Sequence, residues 1–267
     1  MRLSIFTENV KKIDAMNSNT EDEATYAINN FADWTHEEFM KLNSLPELTE
    51  ADKAALPKPE LTHSNPLGSQ DWSGQMNPIK DQASCGSCWA FAANGVHEVT
   101  WNMQKGRNFD LSEQQLVDCS RAYRNQGCNG GWYFWAWDYV KSFGGLNTAQ
   151  QYKYTARDGA CVANGGDKNA PIRQYRQISA SSAAVQASID QRPVAVAVDA
   201  SNWSSYSSGI FSNCGTSINH AVVAVGYTND YWIIRNSWGQ RWGENGKMKL
   251  RMGNTCGVLG YVYALDV

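Results

Sequence analysis

Polar and apolar positions along this chain change rhythm more than once. Near the start, Arg2, Phe6, Asn9, Ile13 and Asn17 recur at steps of four, three, four and four, which predicts one helix. From about residue 42 to 67, Pro, Leu and charged residues mix without a clean period, so that stretch reads as a crossing segment and linker. An apolar helical pattern then opens at Cys88 and runs to about Lys105, where Gly106 stops it. Ser112 with Gln115 makes a capping-box pattern ahead of Leu116 and Val117, and residues 132–140 are aromatic and helix-compatible. Beyond that the pattern turns to strands, over 193–200, 220–227, 231–234, 247–252 and 261–265. The expectation is an α+β protein. Its opening segment precedes a body of about 200 residues, enough for two subdomains sharing a cleft. No apolar run approaches the ~20 residues of a membrane span.

Charge refines that division. Of the 267 residues, 1–64 carry 6 Lys+Arg and 12 Asp+Glu, net −6, whereas 65–267 carry 17 and 14, net +3. An acidic opening segment should therefore be drawn to a slightly basic body. The overall charge of −3 and the lack of a basic patch offer no case for nucleic acid.

The chemistry concentrates in Gln82-Ala83-Ser84-Cys85-Gly86-Ser87-Cys88-Trp89. A thiolate is the reactive form of cysteine, and a helix N-terminus favours it, so a cysteine opening a helix is a candidate nucleophile. A structural disulfide pair and a CxxC redox motif are the competing readings. A metal site lacks paired CxxC or Cys/His ligand sets, so neither metal nor cofactor is expected. The other six of the seven cysteines allow 15 pairings. Three bridges beside one odd thiol would fit an oxidising compartment. A nucleophile needs a base, and a base needs orienting. His220 follows Cys88 by 132 residues, in an apolar β run, and Asn236 follows it by 148, in Asn-Ser-Trp-Gly. His97 falls inside the predicted helix and reads as structural; His36 and His63 carry no assigned role.

The Cys-Gly-Ser-Cys-Trp run, with His220 and Asn236 in that order and at that distance, resembles the papain family of cysteine peptidases. The resemblance implies a helical L domain and a barrel-like R domain, with the site between them. It implies that Cys88 attacks the scissile carbonyl and that His220 forms a thiolate–imidazolium pair and protonates the leaving amine. Asn236 would orient His220, and Trp238 would shield that bond; Trp242 is the family's second tryptophan. The Gln82 amide and the Cys88 N–H would form the oxyanion hole. Implied disulfides are Cys85–Cys128, Cys119–Cys161 and Cys214–Cys256. Implied substrate contacts are Gly130, Gly131 and Asn219, with an S2 pocket of Trp132, Tyr133, Phe134, Ala197, Ile218 and Tyr261. That pocket holds no carboxylate, so apolar or aromatic P2 residues are expected over Arg.

The opening segment resembles a cathepsin L-like inhibitory propeptide. Arg2 to Asn17 match its ERFNIN pattern without the first Glu, and Ala27, Asn29, Phe31 and Asp33 match GxNxFxD with Ala for Gly. The expected division is 1–64 propeptide and 65–267 peptidase. The propeptide would cross the cleft against the substrate direction and loosen on acidification. Neither an occluding loop nor a mini-chain is recognisable, which favours an endopeptidase. The resemblance further implies polypeptide substrates, cystatin-like inhibitors as partners, a monomer, and a lysosomal, vacuolar or secreted location. The pattern's leading Glu and a signal peptide would lie before Met1. Asn202-Trp203-Ser204 is a glycosylation sequon. A silent relative acting as a binding module, and a peptide-ligating enzyme, are the alternatives.

Overall fold

The structure, a computed structural model, describes residues 2–59 and 65–267. The expected boundary after residue 64, and His63, lie outside those residues. The opening helix is α1 (Arg2–Asn17). Its regularly spaced residues are mostly clamps rather than an apolar stripe. Asn9 Nδ2 donates to the carbonyls of Ala32 (3.0 Å) and Trp34 (2.9 Å), and Asn17 makes two hydrogen bonds with the Tyr26 backbone (2.8 and 2.9 Å). Arg2 forks onto Glu38 at 2.6 and 2.8 Å. These contacts fold the chain back over α1 through β1 (Ala24–Tyr26) and α2 (His36–Met40).

The stretch after residue 41, expected to be irregular, contains a helix. In α3 (Glu50–Ala55), the Thr49 hydroxyl accepts from the Asp52 amide and the Asp52 carboxylate accepts from the Thr49 amide. That reciprocal cap stabilises a single turn that apolar periodicity is too short to reveal.

The body begins with β2 (Gln70–Asp71) and α4 (Cys88–Lys105). The latter ends where expected, with Gly106 left-handed at φ 65° and its N–H on the Asn102 carbonyl. In α5 (Glu113–Cys119) only half of the predicted capping box forms. Ser112 accepts from the Gln115 amide, but the Gln115 side chain instead joins Tyr139 and Asn147. Then follow α6 (Tyr133–Phe143), β3 (Gln174–Gln177), α7 (Ser182–Ile189), β4 (Val194–Val198) and β5 (Tyr206–Phe211). The chain closes with β6 (His220–Tyr227), β7 (Tyr231–Arg235), β8 (Lys247–Arg251) and β9 (Val262–Asp266). The sheet order is β1-β5-β8-β7-β6-β4-β9-β3, with β2 beside β6. Only the β5–β8 pair is parallel among the described strands. β1 of the opening segment thus extends the body's sheet at its β5 edge.

β4 and β6 separate two cores. Val194, Val196, Val198, Val222 and Ala224 face a core shared with Trp203, Trp238 and Trp242. Ala195, Ala197, Ala221, Val223 and Val225 face the core built by α4, α5 and α6. Burial on both faces is why these strands read as continuous apolar runs. The expected α+β, two-subdomain arrangement is present, and the three disulfides pair as the resemblance implied.

Candidate active site

The candidate nucleophile and base come from different cores. Cys88 begins α4 on the helical side, is the free cysteine, and is fully buried. His220 begins β6 and is equally buried, its ring stacked on Trp238 at 4.7 Å and 27°. Asn236 follows β7, and its Oδ1 accepts from His220 Nε2 (2.9 Å) and from the Ser237 amide (2.8 Å). Because Oδ1 is an acceptor, the Nε2–H tautomer is the one that satisfies it. Nδ1 is then the basic nitrogen, and it has no hydrogen-bond partner among the described residues. Trp238 is 1% exposed, so water is kept from this bond.

Burial disfavours the charged form of both groups. Burial pushes the Cys88 thiol up to about 11, against hydrogen bonds from the backbone of Ala221, Ser44, Trp89 and Cys88 itself that favour the thiolate. Burial likewise pushes His220 down to about 4, opposed by the bond to Asn236. In the covered chain, burial thus works against the charged forms of the expected thiolate–imidazolium pair.

The cover is residues 42–48. Gln82 Nε2 donates to the Leu42 carbonyl (3.1 Å) and to the Cys85 carbonyl (2.9 Å), so a carbonyl of the opening segment already sits on the expected oxyanion donor. Ser44 reaches the Cys88 sulfur through its backbone. The Leu45 amide donates to the Asn219 carbonyl (3.1 Å), and Trp132 Nε1 donates to the Pro46 carbonyl (2.9 Å). Upstream, Phe31 and Phe39 pack edge-on against Trp238 at 5.4 and 5.1 Å. The segment thus runs from Trp238, across Gln82 and Cys88, to Trp132.

Several expected contacts take a different form. Gly130 has φ 116°, and a Cβ there would strike the Ser44 carbonyl, so this glycine does permit close approach. Gly131 is needed for the body's own packing, because its Cβ would strike Asn125 and Trp89. Asn219 offers the cleft its carbonyl; its side chain turns inward to the Ala200 amide and Ser201 Oγ. Tyr133 and Phe134 are fully buried in the helical core. Phe134 stacks beneath Trp132 at 5.1 Å, and the Tyr133 hydroxyl donates to the Tyr261 carbonyl at 2.5 Å. These contacts tie both residues to the expected pocket walls Trp132 and Tyr261. Trp132, Ala197, Ile218 and Tyr261 share one apolar cluster, and Leu45 and Leu48 of the opening segment pack into it.

Sequence reasoning passed over three supports. Ser237 Oγ donates to Gln82 Oε1 (2.7 Å), which turns the Gln82 nitrogen toward the cleft; adjacency to Asn236 was the available signal. Lys80 lies two residues before Gln82 and bonds Glu98 (2.8 Å), Glu113 (2.6 Å) and Asp110 (2.7 Å). Burial pushes Glu113 up to about 7 despite the lysine. Tyr154 is the third. His97 is structural as expected, buried and bonded to the Ala170 carbonyl (2.6 Å). Among the described residues no His/Cys/Asp/Glu group could hold a metal, and no helix is long and apolar enough to cross a membrane.

Residues 68–265 match the papain family cysteine protease domain, and residues 1–39 match the cathepsin propeptide inhibitor domain. Cathepsin L 1 of Paramecium tetraurelia is 39% identical over 264 residues, covering 96% of this chain and 82% of that protein. Digestive cysteine proteinase 2 of Homarus americanus is 40% identical over 279 residues, covering 96% and 85%. Among solved structures, digestive procathepsin L 3 of the Tenebrio molitor larval midgut superposes with a TM-score of 0.90 at 34% identity, covering all of this chain and 91% of that one. A recombinant stem bromelain precursor gives 0.85 at 35% identity, again covering all of this chain and 91% of that one.

Proposed function

The chain belongs to the papain family of cysteine proteases and carries a cathepsin propeptide inhibitor domain, and from that premise we propose how this endopeptidase works and how it is released. Cys88 is the nucleophile: its thiolate attacks the scissile carbonyl, and the oxyanion forms between Gln82 Nε2 and the Cys88 amide. His220 gives its proton to the leaving amine, leaving a thioester. Water, activated by neutral His220, then hydrolyses that thioester and restores the thiol. Asn236 fixes the imidazole and Trp238 keeps its hydrogen bond dry. The single observation that carries this reading is that one short stretch of the opening segment puts the Leu42 carbonyl on Gln82 Nε2 and the Ser44 backbone against the Cys88 sulfur.

The prosegment is 1–64 and the mature enzyme 65–267, with acid promoting release. Supporting this are the opposite charges of the two parts and the ion pairs Asp52–Arg124 and Glu23–Arg251 between them. The apolar walls Trp132, Ala197, Ile218 and Tyr261 support a preference for apolar or aromatic P2 residues. Three disulfides support passage through an oxidising compartment, lysosomal, vacuolar or extracellular. The reading extends to cystatin-like inhibitors as partners and to a monomer, and Asn202, which is exposed, is a candidate for glycosylation. The test is hydrolysis of P2-varied fluorogenic peptides before and after acid treatment, in wild type and Cys88→Ala. Activity that appears after acid, favours P2 Leu over Arg and vanishes in Cys88→Ala is expected. Stronger cleavage with P2 Arg would overturn the pocket assignment, and activity in Cys88→Ala would overturn the mechanism.

A further inference from the structure

We infer that Tyr154 is a positioning residue for the oxyanion hole, tying the backbone of Gln82 to the start of the helix that carries Cys88. This rests on the oxyanion reading above. The two expected donors belong to separate pieces of chain, the 82–85 turn and the first residue of α4. Their spacing decides how well a developing negative oxygen is held. The turn is strained, since Ala83 sits at φ 50°, left-handed for a non-glycine residue, and its local backbone bonds are Ala83 N–H to Asp81 Oδ1 (2.8 Å) and a longer one from the Cys85 amide to the Gln82 carbonyl (3.3 Å).

Tyr154 bridges the two pieces. Its hydroxyl donates to the Gln82 carbonyl at 2.8 Å and lies 2.7 Å from Ser87 Oγ. The Gln82 carbonyl can only accept, so the one phenolic proton goes there and Ser87 must supply the other bond. The direction of the chain is thereby fixed: Ser87 O–H to Tyr154 O–H to the Gln82 carbonyl. Ser87 reveals the cost of the arrangement. It occupies the N-cap of α4, where a serine would ordinarily accept from the helix's first amides, yet it makes no side-chain cap. Its hydroxyl is committed to Tyr154 instead.

The ring is held independently of the hydroxyl. Phe91 meets it edge-on at 5.0 Å, and the next residue, Thr155, is bound through its amide and hydroxyl to Gln114 Oε1 on α5 (2.8 and 3.0 Å). Ser237 already grips Gln82 from the other side, through its carbonyl on the Gln82 amide (2.8 Å) and its hydroxyl on Oε1. Removing the phenolic oxygen would leave the Gln82 carbonyl with only the longer bond from the Cys85 amide (3.3 Å).

The test is a double-mutant cycle on the full chain after acid processing, with rates normalised to thiol titrated by an epoxide reagent. Tyr154→Phe retains the ring and is expected to lower kcat about tenfold with KM within about twofold, because a small misplacement of a donor weakens the transition state and not ground-state binding. Gln82→Ala is expected to lower kcat by about 10²–10³. In the Gln82→Ala background, Tyr154→Phe should then cost less than about twofold, since the group it positions is gone. Ser87→Ala approaches the same chain from its other end and should reproduce the Tyr154→Phe loss without adding to it. A tenfold loss that persists in Gln82→Ala, or an unchanged kcat in both Tyr154→Phe and Ser87→Ala, would overturn the inference. If Gln82→Ala itself leaves kcat unchanged, the oxyanion reading fails first, and separately.

Discussion

At Cys88, burial opposes position. A cysteine at a helix N-terminus should ionise easily, but under residues 42–48 its thiol is pushed up to about 11 and His220 down to about 4. Uncovering would remove that desolvation and favour the charged form of each group. Gly130 lies directly against the Ser44 backbone of the cover. Gly130→Ala at φ 116° combines strain of about 1–3 kcal/mol with a clash against Ser44. We expect this variant to leak activity before acid treatment, measured as peptide hydrolysis by unprocessed chain; a silent zymogen with full activity after processing would contradict it. At this scale the reacting groups were legible: Cys88, His220, Asn236 and Gln82 carry their own local motifs. The orientation of Asn219, and the packing roles of Tyr133 and Phe134, were not. Each depends on which way a side chain turns at the end of an element, set by neighbours far away in sequence such as Ala200 and Tyr261.

Elements buried on both faces were the easiest to read. β4 and β6 give unbroken apolar runs, and α4 announces its end with Gly106. β5 and α7 were missed: Tyr-Ser-Ser-Gly-Ile-Phe is half-buried, with no clean alternation, and Ser-Ala-Ala-Val-Gln-Ala-Ser-Ile is too short and small-sided to show a stripe. α3 was missed because its stability lies in a cap. The segment leading to Gln82 is fixed by Lys80, which joins it to Glu98 on α4 and Glu113 on α5. Replacing Lys80 with Met would strand two buried carboxylates and should cost about 3–5 kcal/mol, read as a lower chemical-denaturation midpoint. A loss under about 1 kcal/mol would mean that the cluster is neutralised by protonation, as the raised Glu113 permits.

For the whole molecule, the question is what opens the zymogen. Its pH dependence is expected to lie in the groups that hold the prosegment, which include carboxylates. Arg2 holds Glu38 down to about 2 from 4.5, and hydrogen bonds from Thr49 lower Asp52. A depressed carboxyl stabilises the folded prosegment above its unfolded value and ceases to as pH falls through its folded one, here from about 4.5 toward 2. Autoprocessing should accelerate over that window, and Glu38→Gln should process faster than wild type at pH 6 and respond less to further acid. Equal rates for the two chains at every pH would remove Glu38 from the mechanism.

Cys88 and His220 stay shielded, with burial working against their charged forms, until residues 42–48 leave. Alkylation of Cys88 by iodoacetamide across pH, in the unprocessed and processed chain, tests this shielding most directly, with the modified residue located by peptide mapping. Negligible labelling of the unprocessed chain at pH 6 is expected, with rapid labelling of Cys88 after processing, still fast well below the ordinary thiol range. Equal labelling of both forms at pH 6, or a label on any other cysteine, would contradict it.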